Sequence, residues 1–300
     1  MMRRPPTPST TVLATGALLA MTACWGSTFF LIKDLLDRVP TLDFLAVRFA
    51  VAGLVMVAVA PRALRRLSPP ARRRAVVLGA LYGVAQILQT AGLAHTAASV
   101  SGFITGLYVV ATPLLAAVLL RTRINGLTWA AVALATAGLA VLTLDGIALG
   151  YGEAITLVAA ILYALHIVAL GAWSTAEDAL GMSIAQVLVI ALICLVATAP
   201  DGLVLPATVA DWLSVLYMAL VAGALALVAQ TWAQAHLAPT RAAIVMSMEP
   251  VFAATFAVGL GGESLTWRLL GGGAMVLVAM LVVEAGPRRP IEGEVQHLAV

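Results

Sequence analysis

Gln89-Thr90-Ala91-Gly92-Leu93-Ala94-His95 and Gln230-Thr231-Trp232-Ala233-Gln234-Ala235-His236 spell one pattern, Q-T-x-x-x-A-H, at two places 141 positions apart. Two further landmarks repeat in the same order: Pro113 with Pro250 at 137 positions, and Leu127-Thr128-Trp129 with Leu265-Thr266-Trp267 at 138. Ordered matches whose spacing drifts by only a few residues mark an internal duplication. Each copy takes roughly half of the chain.

Composition says where such a chain can live. Hydrophobic residues make up 62% and charged residues 10%, and the mean hydropathy is +1.04. A soluble domain carries about 25% charged residues, so this chain cannot coat itself with charge and is expected in a bilayer. The net charge of +3 is too small and too scattered to suggest nucleic acid. Cys24 and Cys194 sit alone in apolar runs, which points to packing and away from a disulfide or a metal site. Arg3-Arg4 and the apolar run ending at Cys24 imitate a secretory leader. The run continues through Trp25 to Ile32, about 20 residues, which is long enough to span ~30 Å of hydrocarbon, and is read as a retained first helix.

Ten apolar runs follow one another at roughly 12–32, 43–60, 75–94, 99–120, 127–144, 153–172, 183–199, 212–233, 241–260 and 267–284. Backbone groups in lipid must be satisfied within their own segment, so runs of this length are read as helices. Prolines, glycines and charges collect in the breaks, notably 34–40, 61–74, 121–126, 145–152, 176–181 and 200–211. Arginine placement tests the count. With the N-terminus cytoplasmic, thirteen basic residues fall on the inner side. Only Lys33, Arg38 and Arg268 fall outside, and Arg48 lies within a helix. That bias obeys the positive-inside rule; a shift by one helix would scatter it.

The expected architecture is therefore an all-α polytopic membrane protein with ten transmembrane helices as two five-helix repeats. An odd number per copy makes the second repeat enter from the opposite face, so the repeats are inverted. This is the arrangement of transporters that rock about a central site. The expected division is a cytoplasmic segment 1–11, repeats at 12–145 and 146–285, and a cytoplasmic polar tail 286–300.

Trp25-Gly26-Ser27-Thr28-Phe29 and Val47-Arg48-Phe49 resemble the opening motifs of the EamA family. Gly102-Phe103-Ile104-Thr105-Gly106-Leu107-Tyr108-Val109-Val110 with Pro113, and Glu249-Pro250, resemble its later signatures. The family belongs to the drug/metabolite transporter superfamily, and the resemblance runs from about residue 12 to 284. It implies ten helices around a central cavity, and export of amino acids, other small metabolites or toxic compounds from a bacterial cytoplasm. Thr112 precedes Pro113 where Glu249 precedes Pro250, so an acidic role is expected in the second copy only.

Glu249 is the carboxylate expected well inside a helix, ~12 Å from the inner face at ~1.5 Å per residue. There it needs a partner, water or a proton, since a charge at mid-membrane costs at least ~2.5–3.5 kcal/mol; it is the proton-coupling candidate. Pro250 should free the carbonyl four residues back, at Met246. Arg48 lies ~7 Å below the outer face by the same count, placed for a substrate carboxylate, for anchoring a neighbouring helix, or for snorkelling outward. Its depth makes a direct pair with Glu249 doubtful.

Polar stripes at helical spacing outline the rest of a chamber. Tyr82, Gln86 and Gln89 share one helix face; Ser101, Thr105, Tyr108 and Thr112 a second; Thr156, Tyr163 and His166 a third; Gln230 and Gln234 a fourth. Trp25, in mid-helix rather than at an interface like Trp129, Trp173, Trp212 and Trp267, joins them. Each stripe has a plainer reading as hydrogen bonds between helices, worth ~0.6 kcal/mol per contact. His95 and His236 are expected to cap helix ends. Gly79 with Gly83 and Gly102 with Gly106 suit close helix packing, and Gly271-Gly272-Gly273 suits a tight contact or a dimer surface.

No phosphate-binding loop, metal motif or nucleophile elbow occurs in the sequence, so no cofactor and no enzyme activity are expected. The function read here is a secondary transporter in the cytoplasmic membrane, both ends inside, exporting a small organic solute and driven by the solute gradient or by protons. Its partners are that solute and the membrane lipids, with the protein a monomer or weak homodimer. Uptake by the same fold is the nearest alternative; a membrane-embedded enzyme or lipid-handling protein is a more distant one.

Overall fold

The computed structural model describes residues 8–120, 126–143, 150–237, 242 and 245–285. The turn expected around Arg121–Asn125, much of the stretch before Gly150, Arg241, the first seven residues and the tail from Gly286 lie outside them. The described residues are helical without a strand. In chain order the helices are Pro8–Leu36 (α1), Thr41–Val59 (α2), Pro61–Arg66 (α3), Pro69–Ala94 (α4), Ala98–Gly106 (α5), Tyr108–Leu120 (α6) and Gly126–Thr143 (α7). Tyr151–Trp173 (α8), Ala179–Thr198 (α9) and Val209–Ala219 (α10) follow; a π-helical segment Leu220–Leu225 joins α10 to Ala226–His236 (α11), before Glu249–Gly259 (α12) and Trp267–Ala285 (α13).

Seven of the described helical stretches are long and apolar enough to cross a bilayer, with α5 and α6 counted together and α10 to α11 counted together. Three shorter apolar stretches, Trp129–Leu142, Glu249–Gly259 and Trp267–Val282, coincide with the remaining sequence runs. Apolar side chains such as Leu54, Val59, Val118, Leu192 and Val196 stand more than half exposed on the outside of the bundle. That surface suits lipid and would be a liability in water.

Four expectations need correction. The break at 61–74 is mostly helical: Pro61 opens α3, and Ser68 caps α4 by accepting the Ala71 N–H at 3.3 Å, with prolines in the first turn. Proline at a helix start loses nothing, because those N–H groups have no intrahelical acceptor. The segment expected to precede the first helix likewise contributes Pro8–Thr11 to α1. The run 99–120 is broken at Leu107, so its polar stripe does not continue along one straight helix. Glu249 stands in the first turn of α12, after a turn at Ser247–Met248, and not deep within a helix.

Packing follows the small residues. α4 lies against α8 and α9, α2 against α9, α1 against α11 and α12, α5 and α6 against α8, and α7 against α13. Gly79 meets Gln186 of α9, Gly102 meets Ala253 of α12, and Gly272 meets Gly138 and Leu142 of α7. Two members of the Gly271–Gly273 run are thus buried within the chain, Gly273 beneath Phe103, as the tight contact expected of that run requires. Helices in lipid gain no hydrophobic attraction for one another, so close backbone approach supplies much of their association.

That distinction can be measured. A Cβ at Gly79 would come within 2.9 Å of the Gln186 backbone, whereas nothing lies within 4 Å of one at Gly271. Gly79→Ala should therefore lose on the order of 1–3 kcal/mol by overpacking. Gly271→Ala should be neutral or gain up to about 1 kcal/mol in helix propensity. Thermal unfolding of both variants in one detergent checks this.

Candidate functional site

Polar contacts tie the bundle together at one end. Lys33, near the end of α1, donates to Leu93 O and Ala94 O at 3.0 Å each, covering the last carbonyls of α4. Glu263, after α12, accepts from the Ala98 backbone N–H at 2.6 Å and bonds the Ser99 hydroxyl, covering the first N–H groups of α5. Thr96 bonds Glu153 in the first turn of α8. Arg38 pairs with Asp34 at 2.6 Å and with Asp211 at 2.7 Å, joining α1 to α10. Those bonds, to Asp34 first and then to Asp211, raise the Arg38 pKa above its ordinary value. Helix termini carry unsatisfied groups that such side chains complete.

Beneath this closed end lies a small cavity of about 40 Å³, lined by polar and aromatic side chains. Helix interruptions lie near it: the break at Leu107 precedes Tyr108, and the turn at Ser247–Met248 lies between Met246 and Glu249, with Tyr108, Met246 and Glu249 all lining the cavity. Pro250 has no N–H to give to the Met246 carbonyl. Trp25 Nε1 donates to Ala222 O inside the π segment at 2.7 Å. Arg48 Nε donates to Met218 O, just before that segment, at 3.0 Å. Tyr108, first residue of α6, places its hydroxyl 2.9 Å from Met246 O and 3.1 Å from Glu249 Oε2. The carbonyl that Pro250 was expected to free is therefore satisfied from another helix.

Of the sequence-selected residues, Trp25, Arg48, Tyr82, Gln86, Gln89, Thr105, Tyr108, Tyr163, His166, Gln230 and Glu249 all line this cavity. Gln89 bridges two walls, donating to Thr105 Oγ1 at 3.1 Å and accepting from the Tyr163 hydroxyl at 2.7 Å. Gln86 donates to the Tyr82 hydroxyl at 3.2 Å, and the Tyr82 ring meets Tyr163 and His166 with centroids 5.6 and 5.0 Å away. Glu249 is 5% exposed and Arg48 2% exposed, and neither makes an ion pair among the described residues. Arg48 does not snorkel; it is held among Phe44, Phe49 and the Met218 carbonyl. Gln230 Oε1 is buried without a donor.

The sequence profile of the EamA-like transporter family matches residues 13–144 and again 150–284. The chain belongs to this family. It is 27% identical over 292 residues to the Escherichia coli K12 "Uncharacterized inner membrane transporter YedA", covering 92% of this chain and 93% of that one. An "Uncharacterized transporter" of Archaeoglobus fulgidus is 27% identical over 276 residues, covering 89% and 83%. A solved structure described only as "Crystal structure of protein" superposes with a TM-score of 0.67 at 18% identity, covering 92% and 95%. At that identity the likeness concerns the fold alone.

Within this EamA-like chain, some selected residues fall elsewhere. Gln234, one turn beyond Gln230 on α11, does not reach the cavity; its amide faces Met246 Sδ at 3.8 Å, and Met246 itself lines the cavity. Thr112 bonds back to Tyr108 O and Thr156 to Gly152 O, both within their own helices, while the buried Ser101 hydroxyl has no partner among the described residues. The ring of His95 packs on Tyr151, and that of His236 on Trp232, outside the cavity. Sequence reasoning missed Thr28 and Thr90, which also line it. Thr90 lies inside the repeated Gln-Thr pair, so that motif carried the signal. It missed Gln186 too, whose Oε1 lies 2.8 Å from His166 Nε2.

If Pro250 creates the need that Tyr108 meets, the two positions must be energetically coupled. Tyr108→Phe should lower stability by about 1–3 kcal/mol, the cost of an unsatisfied buried acceptor. In a Pro250→Ala background, the restored backbone N–H can serve Met246 O, and the same substitution should cost at least ~0.5 kcal/mol less. A double-mutant cycle on thermal unfolding measures the difference.

Proposed function

We propose that the protein is a secondary active transporter that exports a small organic solute across the bacterial inner membrane by alternating access, exchanging it for protons at Glu249. Glu249 carries the reading: a buried carboxyl on the cavity wall, with no cation paired to it among the described residues and the Tyr108 hydroxyl as its contact. Tyr108 has one hydroxyl proton to share between Met246 O and Glu249. With that proton on Met246 O, the second contact is complete only when the carboxyl supplies its own proton to the tyrosine oxygen. Losing the proton leaves a charge in a low-dielectric wall, which favours rearrangement of that wall.

In this reading all ten apolar runs span the membrane, as two inverted repeats at 12–145 and 146–285 with both chain ends cytoplasmic. The packing supports it. Number the spans in order and exchange each with the one five places away: the main contacts map onto one another. The third span on the sixth becomes the eighth on the first; the first on the ninth becomes the sixth on the fourth; second with seventh and fifth with tenth map onto themselves. The two profile matches, one per half, support it further, as does the inner-membrane transporter among the relatives. The closed end carries Lys33 and Arg38 and is the periplasmic one by the arginine distribution, so this conformation is closed outward. Amino acids, other metabolites and drug-like compounds remain the solute classes that the family resemblance implies.

Glu249→Gln mimics the protonated carboxyl. It should bind solute normally in detergent yet lose the dependence of proteoliposome flux on an imposed pH gradient. Unchanged pH-gradient dependence would remove Glu249 from the coupling step.

A further inference from the structure

Arg48 is left with more hydrogen-bonding capacity than its surroundings use. A guanidinium has five N–H donors; the described contacts engage Nε alone, with Met218 O. No carboxylate lies within ion-pair distance of it among the described residues. The residue lines the cavity, and its two terminal nitrogens have no hydrogen-bond partner among the described residues. The Nε bond and the Phe44 and Phe49 rings, 5.9 and 5.2 Å from the guanidinium carbon, hold the group at the cavity wall.

A buried charge with no counter-charge is strongly unfavourable, and a guanidinium fork matches a carboxylate with two parallel bonds. We propose that the transported solute carries a carboxylate which docks on the two terminal nitrogens of Arg48, with its organic body against Tyr82, Tyr163 and Trp25. The site prefers organic anions over amides and ammonium ions of the same shape. This rests on the transporter reading only for what happens after binding. Export of such an anion in exchange for an entering proton moves two charges in the direction that an inside-negative potential favours.

The test uses purified full-length protein in a neutral detergent and follows thermal unfolding. The probes are 3-phenylpropionate and hexanoate, their primary amides, and the ammonium ions 3-phenylpropylammonium and hexylammonium. At least one carboxylate should raise the unfolding temperature with an apparent affinity at least tenfold above that of its amide and ammonium counterparts. Arg48→Gln should abolish that preference, and Arg48→Lys, which keeps the charge without the fork, should weaken it. The comparison of probes on the unaltered protein decides the matter even where Arg48→Gln fails to fold. Amides or ammonium ions that match the carboxylates, no shift with either carboxylate, or a preference that survives in Arg48→Gln would each overturn the proposal. So would phosphatidylglycerol reproducing the shift and displacing the carboxylate, since the anion would then be a lipid headgroup. Proteoliposome flux of the same probes separates the two readings. A shift without flux leaves the subsite standing and removes transport; flux of an ammonium ion without a carboxylate shift does the reverse.

Discussion

Hydrocarbon offers no hydrogen bonds, so every polar group that this chain carries into the bilayer must be answered from within the bundle. Straight helices answer their own backbones, and most of α1, α2, α4, α8 and α9 does so. Around the π segment Leu220–Leu225 and the turn before Glu249, side chains of other helices add bonds to the backbone. The carbonyls of Ala222, Met218 and Met246 are met by Trp25, Arg48 and Tyr108 from other helices. Those three side chains also line the chamber, so the cavity and the bonds that hold its walls share residues.

The same bonds suit a wall that has to move. Gln89 with Thr105 and Tyr163, and Tyr108 with Met246 and Glu249, join helices through one or two contacts each. Contacts between helices in membranes average ~0.6 kcal/mol, so a solute or a proton can compete with them. The closed end is built differently, with Lys33 and Glu263 seated on helix termini and Arg38 shared by two carboxylates. Opening it requires those termini to find water, which the membrane surface supplies. In the proposed cycle the end contacts act as the gate and the mid-bundle contacts as the sensor.

Much of this was legible in the sequence, for identifiable reasons. The motif at residues 89 and 230 anticipated the two family-profile matches, one in each half of the chain, and glutamines and tyrosines at helical spacing announced a polar face, because lipid excludes such faces. Pro250 announced a freed carbonyl at Met246. The sequence was silent where the answer lay in a distant helix. Nothing near Tyr108 says that its hydroxyl serves a carbonyl 138 positions away, and nothing in 220–225 marks a π segment. Gln234 was misplaced because helical spacing fixes a face but not how far along it the cavity extends. Of the stripe from Ser101 to Thr112, Thr105 and Tyr108 reach the cavity while Ser101 and Thr112 do not.

The central claim is a single polar chamber reached from one face at a time. Thr28 lines it and bonds only within its own helix, to Trp25 O at 2.7 Å, so a cysteine there disturbs no wall. With Cys24 and Cys194 replaced by alanine, Thr28→Cys should react with a membrane-impermeant maleimide in inside-out vesicles and resist it in right-side-out ones. Loosening the closed end with Lys33→Ala and Glu263→Gln should bring reaction from outside. Ready labelling from the periplasmic face with those contacts intact, or no labelling from either face in both proteins, would contradict the account.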